Sequence, residues 1–265
     1  MPKAIDLSHT LPPVGLEMPM LAQQITTVVY GLGAIIFVGI AIQLTIKKRS
    51  ALPLLFLIGA LLTLFLEPVV DALGNAVHPP INQYNIVTTN GHAVPWLVLI
   101  GYVWYFAALP LLCYQQMQDR TLKPSTVWKT YFGTVIGAAL VEQIPLHFGV
   151  WVYYGFQPMK LGYMPMWWIF ANAAAVIIPF LLIYMVFPKL TGFRQLLVVL
   201  LLPSGAFMGH AGSGWPMYNA LGTKTETLTS VIMYGASLLS IGLSLALVWL
   251  MINIAETYTN ASIAK

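Results

Sequence analysis

The chain has 265 residues, of which 58% are hydrophobic and only 8% carry a charge. About a quarter of the residues of an average soluble protein are charged, so 12 basic and 8 acidic side chains are too few to cover a soluble globule of this length. The apolar composition and the single cysteine, Cys113, exclude a disordered chain, a disulfide scaffold and a nucleic-acid-binding protein. We therefore predict an integral membrane protein.

Seven apolar segments are long enough to cross a membrane as helices, which takes about 20 residues each. They lack the two-residue alternation of β-barrel strands. We predict an all-α, polytopic membrane protein with seven transmembrane helices in a single bundle, forming one domain over residues 1–265. The predicted spans are 21–46, 51–70, 94–115, 126–146, 164–187, 194–209 and 227–254.

The basic residues predict the orientation of the bundle, because cytoplasmic loops carry an excess of lysine and arginine. Most of them fall on one side: Lys47, Lys48, Arg49, Arg120, Lys123, Lys129, Lys189, Arg194 and Lys265. The other side has only Lys3, Lys160 and Lys224. We therefore predict that residues 1–20 form a short extracytoplasmic segment, that the carboxyl terminus is cytoplasmic, and that the membrane is the plasma membrane.

Three acidic residues fall within or near the predicted spans, where a charge is costly and marks a functional site by default. Glu67 and Asp71 are four residues apart and share one helical face. Glu142 follows Lys129 by thirteen residues, which places it about 20 Å from the cytoplasmic end of its helix. The acids converge at one outer depth, and we predict that Glu67, Asp71 and Glu142 are catalytic.

Aromatic and polar side chains are predicted to surround the acids at the same depth. Aromatic faces around a buried acid can stabilise developing positive charge. The predicted substrate-binding residues are Tyr102, Trp104, Tyr105, His147, Tyr154, Trp168, Asn172, His210 and Trp215. Two other interpretations stay open, namely an interfacial aromatic belt and hydrogen bonds that only join neighbouring helices.

Residues 55–115 and 130–187 resemble each other as two helical hairpins. In each hairpin a glutamate on the ascending helix is followed seven residues later by a glycine, and a Gly, Pro and Trp pattern precedes the descending helix. A genuine repeat would place Glu67 and Glu142 around a common axis. Coincidence in so biased a composition is the alternative.

Several functional classes lack the residues they require. The last predicted span has no lysine for a retinal Schiff base. A single Glu-x-x-x-Asp and few basic residues on the outer side disfavour a diphosphate substrate held through magnesium. The five histidines are scattered rather than spaced as metal ligands. We expect neither a metal nor another cofactor.

A resemblance to known membrane proteins begins at Glu142 and continues through two sequence runs that follow it. These runs are Gly-Val-Trp-Val-Tyr-Tyr-Gly at 149–155 and Gly-Tyr-Met-Pro-Met-Trp-Trp at 162–168. They resemble the glutamate, Tyr-Gly and Pro-x-Trp pattern of carotenoid-biosynthesis membrane proteins of the hydratase type. The seven-span size, with an acid on span two, is similar to membrane-bound terpene cyclases and heterodimeric lycopene cyclases. The resemblance implies metal-free protonation of an alkene or epoxide. The chain lacks the Pro-x-Glu-Glu/Asp motif of the lycopene cyclases.

We predict an enzyme that acts on an isoprenoid or similar lipophilic substrate by acid-initiated cyclisation or hydration. Glu67 is the expected proton donor, Asp71 its partner or the final base, and Glu142 a second acid or cation stabiliser. The expected partners are a lipophilic small molecule and membrane lipid, with the oligomeric state left open. Two alternatives remain: a proton-coupled transporter or channel that uses the same acids, and a receptor or assembly subunit without chemistry.

Overall fold

The computed structural model describes residues 11–223 and 230–263. Residues 1–10 of the predicted extracytoplasmic segment, and the predicted start of the last span at residue 227, lie outside the described residues. About 75% of the described chain is helical, which confirms the all-α prediction.

Five helical segments of the described chain are long and apolar enough to cross a membrane. These are Met20–Lys48, Leu52–Gly74, Met166–Lys189, Gly192–Gly222 and Ser230–Tyr258. A shorter apolar helix covers Trp96–Leu112. The structure thus agrees with a membrane protein.

The α-helices of the described residues are α1 (Met20–Lys48), α2 (Leu52–Leu62), α3 (Glu67–Gly74), α4 (Trp96–Leu112), α5 (Tyr114–Asp119), α6 (Pro124–Val141), α7 (Gln143–His147), α8 (Met166–Val186), α9 (Leu197–Gly222) and α10 (Ser230–Ile263). Short 3₁₀ helices cover Thr63–Leu66, Phe187–Lys189 and Gly192–Leu196. Six strands form two-stranded antiparallel ladders between the helices. They are β1 (Ala76–Val77) with β4 (Val152–Tyr153), β2 (Asn85–Thr89) with β3 (His92–Pro95), and β5 (Lys160–Leu161) with β6 (Met164–Pro165).

Several predicted boundaries were wrong. The second predicted span extends past residue 70 to Gly74, and the fourth is divided at Glu142. The third begins only at Trp96, because the residues before it belong to β3, and α4 ends at Leu112. The sixth span was predicted to end at residue 209, yet α9 continues to Gly222. Glycine and proline favour helix ends in an isolated sequence, but tertiary packing keeps them inside α9.

Helix α8 lies at the centre of the bundle, where it packs against α6, α9 and α10. Small residues on α8 and α9 let the two backbones approach closely, as in many membrane helix pairs. A Cβ built on Gly209 would lie 2.4 Å from the carbonyl oxygen of Ala174, and one built on Gly205 would lie 2.6 Å from Cα of Pro179. These glycines therefore fix the contact between α8 and α9.

Basic residues come together at one end of the bundle. The Lys48 ammonium donates to the side-chain oxygen of Gln118 over 2.8 Å, which ties the end of α1 to α5. Arg120 donates to the carbonyl oxygen of Tyr184 on α8, and Lys189 donates to the Tyr258 hydroxyl over 2.9 Å. The short strands gather at the opposite ends of the same helices. This asymmetry is the feature on which the predicted orientation depends.

We expect Gly209→Ala to destabilise the protein by about 1–3 kcal/mol, because the added methyl group overpacks the contact between α8 and α9. Thermal unfolding of the purified protein in detergent measures the change. Gly39→Ala on α1 is the matched control, since nothing lies within 4 Å of a Cβ built there. Equal melting temperatures for the two variants would contradict this account of the helix packing.

Candidate active site

Helix interruptions determine where two of the three acids lie. The 3₁₀ helix Thr63–Leu66 separates α2 from α3, and Glu67 is the first residue of α3. Pro68 follows it, and a proline has no N–H to donate and crowds the carbonyl four residues earlier. Glu142 lies between α6 and α7, with Pro145 three residues beyond it. Each acid therefore lies where the regular α-helical hydrogen bonding of its helix is interrupted.

The acids line one cavity of about 380 Å³. Its walls come mainly from α3, α4, α6, α8 and α9, with one tyrosine from α1. Most lining side chains are aliphatic or aromatic. No lysine or arginine lines this cavity within the described chain. It is an apolar chamber that holds carboxyl groups without a permanent cation.

Glu67 and Asp71 share their wall of the cavity with a histidine and a tyrosine. The Tyr102 hydroxyl donates a hydrogen bond to Oε2 of Glu67. Nδ1 of His78 is 3.3 Å from Oδ2 of Asp71, and its Nε2 is 4.0 Å from Oε1 of Glu67. The side chains of Asp71 and His78 are only 3% and 4% exposed. One imidazole thus lies between two buried carboxyl groups.

Burial lowers the pKa of His78 below its usual range, although the neighbouring Glu67 opposes that shift. Burial therefore favours the neutral form of the imidazole. With its proton on Nδ1, it donates to Asp71 and turns the Nε2 lone pair toward Glu67. His78 can then orient both acids without adding a fixed positive charge.

Glu142 approaches the same cavity from α6. The side-chain amide of Asn172, on α8, donates to its Oε1 over 3.4 Å. Tyr105 lines the same cavity as Glu142 and Glu67. A substrate beside Tyr105 would therefore be close to acids from two different helices.

Most of the predicted substrate-binding residues do line the cavity. They are Tyr102, Trp104, Tyr105, Trp168, Asn172 and His210. Trp168 and His210 are in edge contact, with ring centroids 4.8 Å apart. Their predicted roles in substrate binding stay predictions.

His147, Tyr154 and Trp215 lie away from the cavity, contrary to their predicted position. His147 is exposed and hydrogen-bonds the Tyr163 hydroxyl over 2.6 Å. His147 is the last residue of α7, beyond the interruption at Glu142. The backbone N–H of Tyr154 bonds the carbonyl of Asn75 beside the β1–β4 ladder. Trp215 is half exposed on α9, on a face that turns away from the chamber.

The residues that line the chamber but were not among the predicted site residues include Tyr30, His78 and Tyr153. His78 reaches the acids because α3 ends at Gly74 and the next residue, Asn75, has a φ of 55° that reverses the chain. Asparagine tolerates that left-handed conformation better than most residues. Asn75, which follows the helix that carries Glu67 and Asp71, was the one sequence signal that could have indicated a chain reversal toward His78. Tyr30 is brought in by packing of α1 on α4, which the sequence does not reveal.

The two predicted hairpin repeats share more than their acids. In each, a helix is interrupted at the glutamate and followed by a short strand, and a strand ending in proline precedes the next long helix. The strands β1 and β4 pair directly, with Val77 opposite Val152 and Ala76 opposite Tyr153. Val77 and Val152 are each ten residues after their glutamate, so this register is the one that a two-fold axis would produce. The repeat itself stays a prediction.

Glu67, Asp71 and His78 are also the residues best arranged to hold a cation. One donor atom from each lies within 4.8 Å of the others. Two carboxylates and an imidazole suit a divalent transition metal. The contact between His78 Nδ1 and Asp71 already satisfies both groups without an ion, so the geometry equally fits a metal-free acid cluster.

Comparisons with protein-family models, with curated proteins and with solved structures find no match to this chain.

We expect Tyr102→Phe to destabilise the protein by about 1–3 kcal/mol, because it leaves a buried carboxyl group without its donor. Thermal unfolding in detergent measures the loss. Tyr84→Phe is the control, because Tyr84 is 46% exposed and its hydroxyl only accepts a surface hydrogen bond from Gln24. That change should stay within about 0.5 kcal/mol. A Tyr102→Phe protein as stable as the parent would show that the bond to Glu67 does not hold the site together.

Proposed function

We propose that the protein is a membrane enzyme that starts a carbocation reaction on an isoprenoid or similar lipophilic substrate, by cyclisation or hydration. The observation that carries the proposal is the chamber itself, an apolar cavity lined by three carboxyl groups from two separate parts of the chain. Acid-initiated chemistry needs a proton donor, a base and a water-poor space between them. The chamber combines these features.

The proposed reaction begins at Glu67. Its protonated carboxyl group gives a proton to an alkene carbon or an epoxide oxygen of the substrate, leaving a carbocation and a Glu67 carboxylate. A second alkene of the substrate attacks the cation and closes a ring, or a water molecule adds to it. A carboxylate then takes up the proton that is released. The net change is an isomerisation or the addition of one water.

The other acids have distinct proposed roles. Glu142 comes from a different helix than Glu67 and has an amide rather than a hydroxyl partner, which suits a group that stabilises the cation or accepts the final proton. Asp71 and His78 are adjacent to Glu67, which suits them to orient and reprotonate it. The aromatic rings of Tyr102, Trp168 and their neighbours would stabilise the cation through their faces.

We further propose that the chain forms a seven-helix bundle in the plasma membrane, with its amino terminus outside. The five long apolar segments would supply five of the seven helices. The sixth would be α4, which packs against α1 and α2, and the seventh would be α6 together with α7, with α6 packed against α8. The clustering of basic residues at one end supports a cytoplasmic location for that end. The chamber would then lie nearer the outer leaflet.

Replacing the proposed donor by its isosteric amide tests the chemistry. The purified protein in lipid nanodiscs is incubated in D₂O with farnesol, geranylgeraniol or squalene, because protonation of an alkene leaves the transferred deuterium on carbon. Mass spectrometry of the extracted lipid detects deuterium that has become bound to carbon. We expect the parent to incorporate deuterium and Glu67→Gln to do so about 10²–10⁴-fold more slowly, as for loss of a general acid. Glu256→Gln, an exposed acid on α10, is the matched control.

A correctly folded Glu67→Gln protein that incorporates deuterium at the parent rate would exclude the proposed role of Glu67. Proton flux across liposomes that depends on Glu67, without any deuterium on carbon, would favour the transporter instead.

Blocking the cavity should abolish turnover without disturbing the fold. Gly137 lines the cavity on α6, and nothing lies within 4 Å of a Cβ built there. Gly133, one turn earlier on the same helix, has equally open surroundings but lies outside the cavity. We expect Gly137→Leu to lower deuterium incorporation at least tenfold and Gly133→Leu to leave it unchanged. Equal activity of the two variants would place the reaction elsewhere.

A further inference from the structure

We infer that the chamber opens sideways into the bilayer between α4 and α6, and that its ligand is a long-chain isoprenoid that enters there and keeps part of its chain in the opening. The inference rests on the proposed function for the membrane setting and the isoprenoid class. It adds the entry route, the orientation of the chain, and a tolerance for chains longer than the chamber.

Two helices that line the cavity leave a gap between them. Both α4 and α6 pack against α8, but within the described chain they do not pack against each other. Leu112 of α4 and Val141 of α6 line the cavity, yet their side chains are 65% and 48% exposed. The cavity therefore continues to the outside between these helices. We call this gap the lateral opening, and it is lined by Ala108 and Leu112 on α4 and by Thr130, Thr134, Gly137 and Val141 on α6.

The lateral opening runs lengthwise along α6. Its residues on that helix recur every three or four positions, so they share one helical face. From Thr130 to Val141 this face is about 16 Å long. The next residue, Glu142, lines the same cavity. An extended chain that lies along this face therefore reaches an acid at one end.

The polar groups of the lateral opening are already satisfied. The Thr130 hydroxyl donates to the carbonyl oxygen of Thr126 over 2.9 Å, and the Thr134 hydroxyl donates to that of Thr130 over 2.9 Å. Nothing lies within 4 Å of a Cβ built on Gly137. A water molecule needs several polar partners to be held at such a site. Hydrocarbon therefore fills the lateral opening better than water does.

The cavity wall beside the short strands is closed, in contrast. Ala76, His78 and Trp151 line the cavity there, and they are only 2%, 3% and 9% exposed. The ladder of β1 with β4 holds this wall in place. A ligand that came from that end of the bundle would have to displace the ladder. Entry through the lateral opening requires no such rearrangement.

The direction of the lateral opening determines which end of the ligand reaches the acids. Leu112 is the last residue of α4, and Thr130 lies near the beginning of α6. The lateral opening therefore extends toward the end of the bundle that carries Lys48 and Arg120. A hydroxyl group favours the polar membrane surface, whereas a hydrocarbon terminus favours an apolar chamber. The terminal isoprene unit of the ligand then lies at the acids.

The size of the chamber indicates why one side is open. Its volume of about 380 Å³ is near the lower end of the range for small-molecule pockets, which is about 300–1,000 Å³. A long polyprenyl chain exceeds this volume. With its terminal units inside, the rest of the chain can continue through the lateral opening into the bilayer.

Photo-cross-linking with a long polyprenol tests the route and the orientation. Two derivatives of solanesol carry a diazirine, one in the terminal isoprene unit and one in the middle of the chain. Each is irradiated with the intact protein in lipid nanodiscs, with and without excess unlabelled solanesol, and mass spectrometry of peptides locates the labels that the competitor displaces. We expect the terminal probe to label the chamber around Tyr102 and Trp168, and the mid-chain probe to label Leu112 and Thr134.

Narrowing the lateral opening tests the route a second time. Leu112→Trp and Thr134→Trp enlarge side chains on its two facing helices. Ile136→Trp is the matched control, because Ile136 is 59% exposed on α6 but does not line the cavity. We expect each of the first two variants to lower chamber labelling by the terminal probe about tenfold, as for an overpacked contact. The control should keep the parent labelling, and thermal unfolding verifies that all three variants are folded.

The inference is overturned if the mid-chain probe labels the wall around Ala76 and Trp151 in the parent protein, or if competitor displaces no label. Folded Leu112→Trp and Thr134→Trp proteins with parent labelling of the chamber would also overturn it. Labelling is measured apart from turnover, so the two proposals can fail separately. Displaceable labels without deuterium incorporation would reject the enzyme and keep the entry route. Deuterium incorporation that depends on Glu67, with mid-chain labels beside the strands, would do the reverse.

Discussion

The arrangement of this protein depends on the cost of keeping carboxyl groups in an apolar interior. An acid buried among helices must find hydrogen-bond partners or remain protonated. Each acid of the chamber has one such partner: Tyr102 on α4 for Glu67, His78, seven residues further along the chain, for Asp71, and Asn172 on α8 for Glu142. None of these partners carries a permanent charge, so the acids line the chamber without a fixed cation beside them.

Helix interruptions and strand pairing make this arrangement possible. Both acids lie beside an interruption of their helix: Glu67 follows the 3₁₀ helix Thr63–Leu66, and Glu142 separates α6 from α7. The β1–β4 ladder ties the two interrupted helices together at one end. The tight contact of α8 with α9 holds the third wall, which carries Trp168 and His210.

Features that depend on local composition, such as the apolar helices and the rare acids, could be predicted from the sequence. Features that depend on long-range packing, such as helix ends and the position of His78, required the structure. Apolar segment length predicted the helices, and the rarity of charge identified Glu67, Asp71 and Glu142, which do line one cavity. The divided fourth span and the full length of α9 escaped prediction, because tertiary contacts decide whether glycine and proline end a helix. His78 escaped because its place beside the acids depends on a single turn at Asn75 and on ladder pairing with a segment 75 residues away.

The central claim is that a lipophilic ligand occupies the chamber between the acids. Photo-cross-linking with a diazirine derivative of farnesol tests it most directly, with labelled peptides of the protein in nanodiscs identified by mass spectrometry. The account predicts labels on the cavity faces of α4 and α8, around Tyr102 and Trp168, that unlabelled farnesol displaces. Labels confined to outward-facing side chains of α1, such as Ile35 and Ile36, and insensitive to competition would contradict it.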